Sequence, residues 1–223
     1  SMKIFPILTL FLGGLLTQTL VFAQPKVVQK PNIILIMADD LGWGDVGFNG
    51  NKIIRTPALD QMASDGLVFD RFYAGSAVCS PTRGSCITGR NPYRYGINFA
   101  NVGMMKKEEI TLAELAKNIG YRTAHFGKWH LGDQPRFLPT RQGFDTFFGI
   151  PYSDDMTPGP GPKAGFPELP LMRDETVIEA PVDRDHLVRR CTEEVIAFIG
   201  RHAERPFFIY LPHTMPGSTA HPF

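Results

Sequence analysis

Apolar and polar positions divide the chain into alternating strand-like and helix-like segments. Asn32 to Met37 is an unbroken apolar run ending in Ala38-Asp39-Asp40, the pattern of a strand buried on both faces of a parallel sheet. Carboxylates at the C-terminal end of such a strand stand where open α/β sheets bind ligands. Thr56-Pro57 offer an N-cap and a first-turn proline, Leu59, Met62 and Ala63 form a helical stripe, and Gly66 supplies the stop. Leu67 to Tyr73 reads as a further strand. Thr111-Leu112-Ala113-Glu114 has the capping-box pattern and opens a helix through Ile119, which Gly120 ends before a strand over Tyr121 to Phe126. Leu187, Cys191, Val195 and Ile199 share one face of a helix predicted over Asp185 to Ala203, and Pro206 to Leu211 returns as a strand. Pro151 to Pro181, rich in Pro and Gly without periodicity, is expected to be a long surface excursion. This βαβα order predicts an α/β fold with a mostly parallel central sheet flanked by helices, without internal repeats or a second domain.

Composition agrees with one large core: 43% of the 223 residues are hydrophobic and 20% charged. Twenty-three Lys and Arg against 22 Asp and Glu leave a net charge of +1, so no polybasic field exists to attract a nucleic acid. At the N-terminus, Lys3 precedes an uncharged run from Ile4 to Ala23 that closes on Val21-Phe22-Ala23. Residues 1–23 read as a secretory signal peptide cleaved after Ala23, with export to a periplasm or the exterior as the consequence. A membrane anchor is the alternative. The small-residue end and the polar Thr17-Gln18-Thr19 favour cleavage, so no stable membrane span is expected. Three cysteines are too few for a disulfide framework, and an odd count in an exported chain marks one thiol for another task. Cys79 is the candidate. Cys191 lies on an apolar helical face and reads as a buried, inert thiol, and Cys86 has no clear role.

Chemistry concentrates in Cys79-Ser80-Pro81-Thr82-Arg83, continued by Gly84-Ser85-Cys86-Ile87-Thr88-Gly89-Arg90. Pro81 suits the first turn of a helix, whose free N–H groups and dipole favour negative charge on residue 79. Asp39 and Asp40 form a paired carboxylate suited to a hard cation such as Ca²⁺ or Mg²⁺, and no Cys/His cluster suggests zinc. Taken alone, Asp-Asp after a strand is an ordinary turn and Arg83 a solvated helix charge. Lys128 and His130 lie two apart at a strand's end, so an extended backbone would face both toward the Asp39/Asp40 edge.

The Cys79 to Arg90 segment resembles the sulfatase signature. Other segments recur in that family's order: Pro31 to Gly42, Thr56 to Asp60, Gly127 to Gly132, Gly149 to Ser153 and Pro206 to Leu211. Gly149 to Ser153 is most similar to the arylsulfatase A branch. The resemblance, within the alkaline-phosphatase-like superfamily, implies hydrolysis of a sulfate monoester by a formylglycine made from Cys79, whose hydrate is the nucleophile. It implies Asp39, Asp40 and the modified Cys79 as ligands of a divalent cation, Ca²⁺ with Mg²⁺ as the alternative. It gives Arg83 the positioning of formylglycine, Lys128 and Ser153 the binding of sulfate, and His130 the proton transfer that restores the aldehyde. A formylglycine-generating enzyme is the implied maturation partner.

Two departures stand out. The family's histidine eleven residues after Pro206 is Gly217 here, flanked out of register by His213 and His221. Loss of one general acid costs ~10²–10⁴-fold in rate. Further metal ligands and a second sulfate-binding lysine would follow Phe223, so residues 24–223 read as the N-terminal part of a sulfatase catalytic domain with an exposed sheet edge. Two other readings stay open: a phosphate or phosphonate ester hydrolase of the same superfamily, and a non-catalytic fragment.

Overall fold

The computed structural model describes residues 30–100, 104–156 and 165–217. The proposed signal peptide and His221 lie outside them. Contacts divide the chain at Lys30, and the fold belongs to the unit that begins at Pro31. No helix among the described residues is long and apolar enough to cross a membrane.

Among the described residues six strands form one sheet: β1 (Ile33–Asp39), β2 (Arg122–Lys128), β3 (Thr146–Ile150), β4 (Leu171–Arg173), β5 (Thr176–Glu179) and β6 (Phe207–Pro216), in the order β1-β6-β2-β3-β4-β5. β1, β6, β2 and β3 are parallel, with Ile33 opposite Phe208 and Ala124 opposite both Ile209 and Thr146. β4 and β5 close the other edge as an antiparallel hairpin. The helices are α1 (Pro57–Asp65), α2 (Cys79–Thr88), α3 (Pro92–Tyr95), α4 (Leu112–Asn118) and α5 (Leu187–Arg201).

Strand alternation gives the sheet two buried faces. On one, Ala124, Phe126, Phe148, Phe207, Ile209 and Leu211 pack with Leu187, Cys191, Val195 and Phe198 of α5. On the other, Phe147, Phe208 and Tyr210 pack with Ile87 of α2, Ala113 and Ala116 of α4, and Trp129. The α4 cap forms as the sequence predicts: Thr111 Oγ1 accepts from the Glu114 N–H at 3.1 Å and the Glu114 carboxylate from the Thr111 N–H at 2.8 Å. Burial pushes the Cys191 thiol up to about 12, as suits an inert core residue.

Four expectations are corrected. β1 is an edge strand, so Ile33, Ile34 and Ile36 are 42–52% exposed rather than covered on both faces. Leu67 to Tyr73 forms no strand, and its side chains are exposed. The α1 stripe is not buried, with Leu59 and Met62 both exposed. The stretch from Pro151 to Pro181 contains β4 and β5 and buries Leu169 and Leu171, because two short antiparallel strands can extend the sheet without long-range periodicity.

Near the C-terminal ends of the parallel strands, two glycines leave no room for a side chain. A Cβ on Gly127 would lie 2.0 Å from the Pro212 carbonyl oxygen, and one on Gly149 1.9 Å from that of Gly127. Gly127 also has φ +127°, which side-chain-bearing residues rarely adopt. The next residue in β2 is Lys128.

Candidate active site

Asp39, at the end of β1, is the hub of a buried cluster. Its Oδ1 accepts from Arg83 Nη2 and its Oδ2 from Lys128 Nζ, both at 2.8 Å. Arg83 Nη1 donates to the Lys128 carbonyl at 2.9 Å, and Lys128 Nζ donates to Ser153 Oγ at 2.8 Å. Burial raises the Asp39 pKa, but the charges of Lys128 and Arg83 and their hydrogen bonds outweigh it and hold the carboxyl below its ordinary value. The trio Asp39, Arg83 and Lys128 therefore carries one net positive charge away from water. That is a place for an anion.

The sequence folds this way for local reasons. Cys79 is the first residue of α2 after the extended Val78, and Gly89 ends the helix with φ +67°. Ser80 Oγ donates to the Ala100 carbonyl at 2.8 Å, Thr82 Oγ1 to that of Ser76 at 2.7 Å, and the Tyr95 hydroxyl to that of Pro81. These bonds fix the first turn, so that Arg83, one turn past Cys79, is held on Asp39. Behind Arg83, Tyr210 donates its hydroxyl to Met37 Sδ at 3.4 Å. Burial raises the Tyr210 phenol, and the nearby Arg83 charge opposes that rise.

Asp39, Asp40, Cys79, Thr82, Arg83 and Cys86 line one cleft of about 860 Å³. Asp40 is exposed and has φ +57°, a left-handed conformation that Asp tolerates. The two carboxylates suit a hard cation in kind, and each Asp39 oxygen keeps a lone pair beyond its hydrogen bond. They do not suffice in number, because among the described residues no three ligating His, Cys, Asp or Glu side chains converge.

Lys128, His130 and Ser153 are buried and do not line the cleft. His130 departs from the extended backbone expected of it: its φ is +56°, so a turn rather than strand alternation aims the ring. Backbone bonds fix that turn, since the Trp129 N–H donates to Ile150 O at 2.9 Å and the His130 N–H to Pro151 O at 3.1 Å. Gly217 donates its N–H to the Asp39 carbonyl at 2.9 Å, and His213 is half-buried.

The sequence reading passed over three residues. Asp154, next to Ser153, is buried, and its Oδ2 has no hydrogen-bond partner among the described residues. Tyr210 is marked only by its place in an apolar strand. His125 is fully buried, neither ring nitrogen has a hydrogen-bond partner, and the rings of Trp129, Phe144, Phe147 and Tyr210 surround it edge-on at 5.1–5.4 Å. Burial, with the Arg83 charge, keeps its pKa well below the ordinary histidine value.

Comparison with known proteins agrees with this architecture. The chain is 40% identical over 211 residues to arylsulfatase G of Rattus norvegicus and 38% identical over 205 residues to N-acetylgalactosamine-6-sulfatase of Mus musculus. Each match covers 82% of this chain, which spans about 40% of the relatives' length. Among solved structures, Ps i-CgsB in complex with k-i-k-neocarrahexaose superposes with a TM-score of 0.73 at 31% identity, covering 86% of this chain and 47% of that one. The family model named Sulfatase matches residues 31–217, and the chain belongs to the sulfatase family.

Proposed function

We propose that the protein hydrolyses a sulfate monoester to an alcohol or phenol and inorganic sulfate. The observation that carries this reading is the buried Asp39–Arg83–Lys128 cluster, with its excess positive charge beside the helix start that bears Cys79. A sulfate ester is an anion with a poor leaving group, so its cleavage needs positive charge around the sulfuryl oxygens and a nucleophile stronger than a serine hydroxyl. A formylglycine made from Cys79 supplies that nucleophile when present, and its maturation needs a formylglycine-generating enzyme.

In this reading Lys128 and Ser153 bind the sulfate, Arg83 holds the side chain of residue 79 in place, and His130 moves the proton that regenerates the aldehyde. Asp39, Asp40 and residue 79 would contribute oxygen donors to a divalent cation, Ca²⁺ in preference to Mg²⁺, which would supply positive charge to the oxygens it held. Six to eight oxygens surround Ca²⁺, so other groups complete the set. The N-terminal run of residues 4–23 supports export.

The test is a panel of aryl sulfate and aryl phosphate esters offered to the wild type and to Cys79→Ala. Sulfate release that Cys79→Ala abolishes is the expected result. Dominant phosphatase activity, or desulfation that survives the substitution, overturns the reading.

A further inference from the structure

Asp154 is an acid near the cluster with no task in the scheme above. The residue is 2% exposed, as buried as Lys128, His130 and Ser153 at 2–3%. Its Oδ2 has no hydrogen-bond partner, although a buried carboxyl oxygen without one is costly and rare. Its backbone is held by Arg184 Nη2, which donates to the Asp154 carbonyl at 2.6 Å. The charges that act on the carboxyl are those of Lys128 at the end of β2, Asp39 at the end of β1, the neighbouring Asp155, and Arg184 ahead of α5. Burial first, then Asp39 and Asp155, raise its pKa, and Lys128 and Arg184 offset only part of this. Ser153, the preceding residue, is bonded to Lys128 Nζ, and the Lys128 ammonium that bonds Asp39 also acts on the Asp154 carboxyl. A carboxyl kept neutral by its surroundings donates a hydrogen bond without repelling an anion, which an ionised one cannot do.

We propose that Asp154 is a catalytic acid of this site, its Oδ2 proton bonded to the ester oxygen of a sulfate monoester held by Lys128 and Ser153. The inference rests on the sulfate-ester reading. As the hydroxyl oxygen of the hydrated residue 79 bonds to sulfur and gives up its proton to water, the bond from sulfur to the ester oxygen breaks and its electron pair stays on that oxygen. The Asp154 proton passes to it, the alcohol departs, and the resulting carboxylate regains a proton from water. The orphaned oxygen is thus explained by a partner that arrives with the substrate.

Two measurements test this. In the wild type, ¹³C NMR titration of labelled aspartate carboxyls reads the proton directly. Asp154 still protonated well above the ordinary aspartate range is expected, and ordinary carboxylate titration overturns the proposal. In the second, wild type and Asp154→Asn are compared on aryl sulfates of graded phenol acidity and on an alkyl sulfate. The loss in kcat is expected to grow as the departing alcohol becomes less acidic, reaching about 10²–10⁴-fold for the alkyl ester. A loss uniform across the series, or none, overturns the proposal while leaving the sulfatase reading intact. Failure of the wild type to cleave any sulfate ester overturns both.

Discussion

Replacing Asp39 by Asn removes the only anion among the described residues that is bonded to both Arg83 and Lys128. The wild-type trio carries one net positive charge, and the variant leaves two positive charges buried together, each having lost a 2.8 Å ion pair. Removing one partner of a buried ion pair costs about 3–5 kcal/mol, chiefly through the charge left uncompensated. Since 1 kcal/mol shifts Tm by roughly 2–4 °C in a domain of this size, the melting point should fall by roughly 6–20 °C. Lys128→Met provides the internal control. It leaves Asp39 and Arg83 as a neutral pair bonded at 2.8 Å, so it should cost less than Asp39→Asn. In the double variant Asp39→Asn/Lys128→Met a single buried charge remains, and part of the lost stability should return. Urea unfolding of the wild type, the two single variants and the double variant, in chelator so that no bound cation contributes, gives the four free energies of the cycle. An Asp39→Asn variant within about 1 kcal/mol of wild type, below the range for a broken buried pair, refutes the charge argument. So does Lys128→Met proving the more harmful substitution.

Other perturbations follow from the same geometry. His125 has a folded pKa well below its ordinary 6.5. Its contribution to stability is complete above the unfolded value and is lost as pH falls toward the folded one, because the unfolded chain takes up the proton first. Unfolding free energies should therefore decline below about pH 6.5, and His125→Phe should flatten that acid limb. Gly127→Ala places a Cβ 2.0 Å from the Pro212 carbonyl at a left-handed φ, so denaturant titration should find a loss of roughly 3 kcal/mol or more. Gly200→Ala, in α5 with open space around its Cβ position, should gain about 0.5–1 kcal/mol by the same titration. Asp40→Asn should leave the metal-free protein within about 0.5 kcal/mol of wild type, because Asp40 is exposed. Calorimetric titration with Ca²⁺ should nevertheless show weakened binding.

What the sequence made legible was local. The Thr111–Glu114 cap, the α5 stripe through Leu187, Cys191 and Val195, and the turn that places Cys79 ahead of Arg83 each depend on residues within a turn or two, so spacing alone was enough. Burial of β1 was misread because an apolar run does not say whether its strand will have one neighbour or two. β4 and β5 were missed because three- and four-residue strands carry too little alternation to register. The site's chemistry was legible as a set of candidate residues but not as geometry. Arg83 and Lys128 reach Asp39 across 44 and 89 positions, a convergence that β1, α2 and β2 produce only after the sheet has formed. The turn at His130 depends on carbonyls of Ile150 and Pro151, at the end of a different strand. Asp154 carried no signal in the sequence, and only its burial with an unpartnered Oδ2 distinguishes it.

The proposed chemistry depends on the identity of side chain 79. Peptide mass spectrometry of protein made in a host that contains the maturation enzyme reads it directly. The account predicts an aldehyde, with the sulfur and two hydrogens gone and one oxygen gained. An intact thiol throughout the folded, purified protein contradicts it.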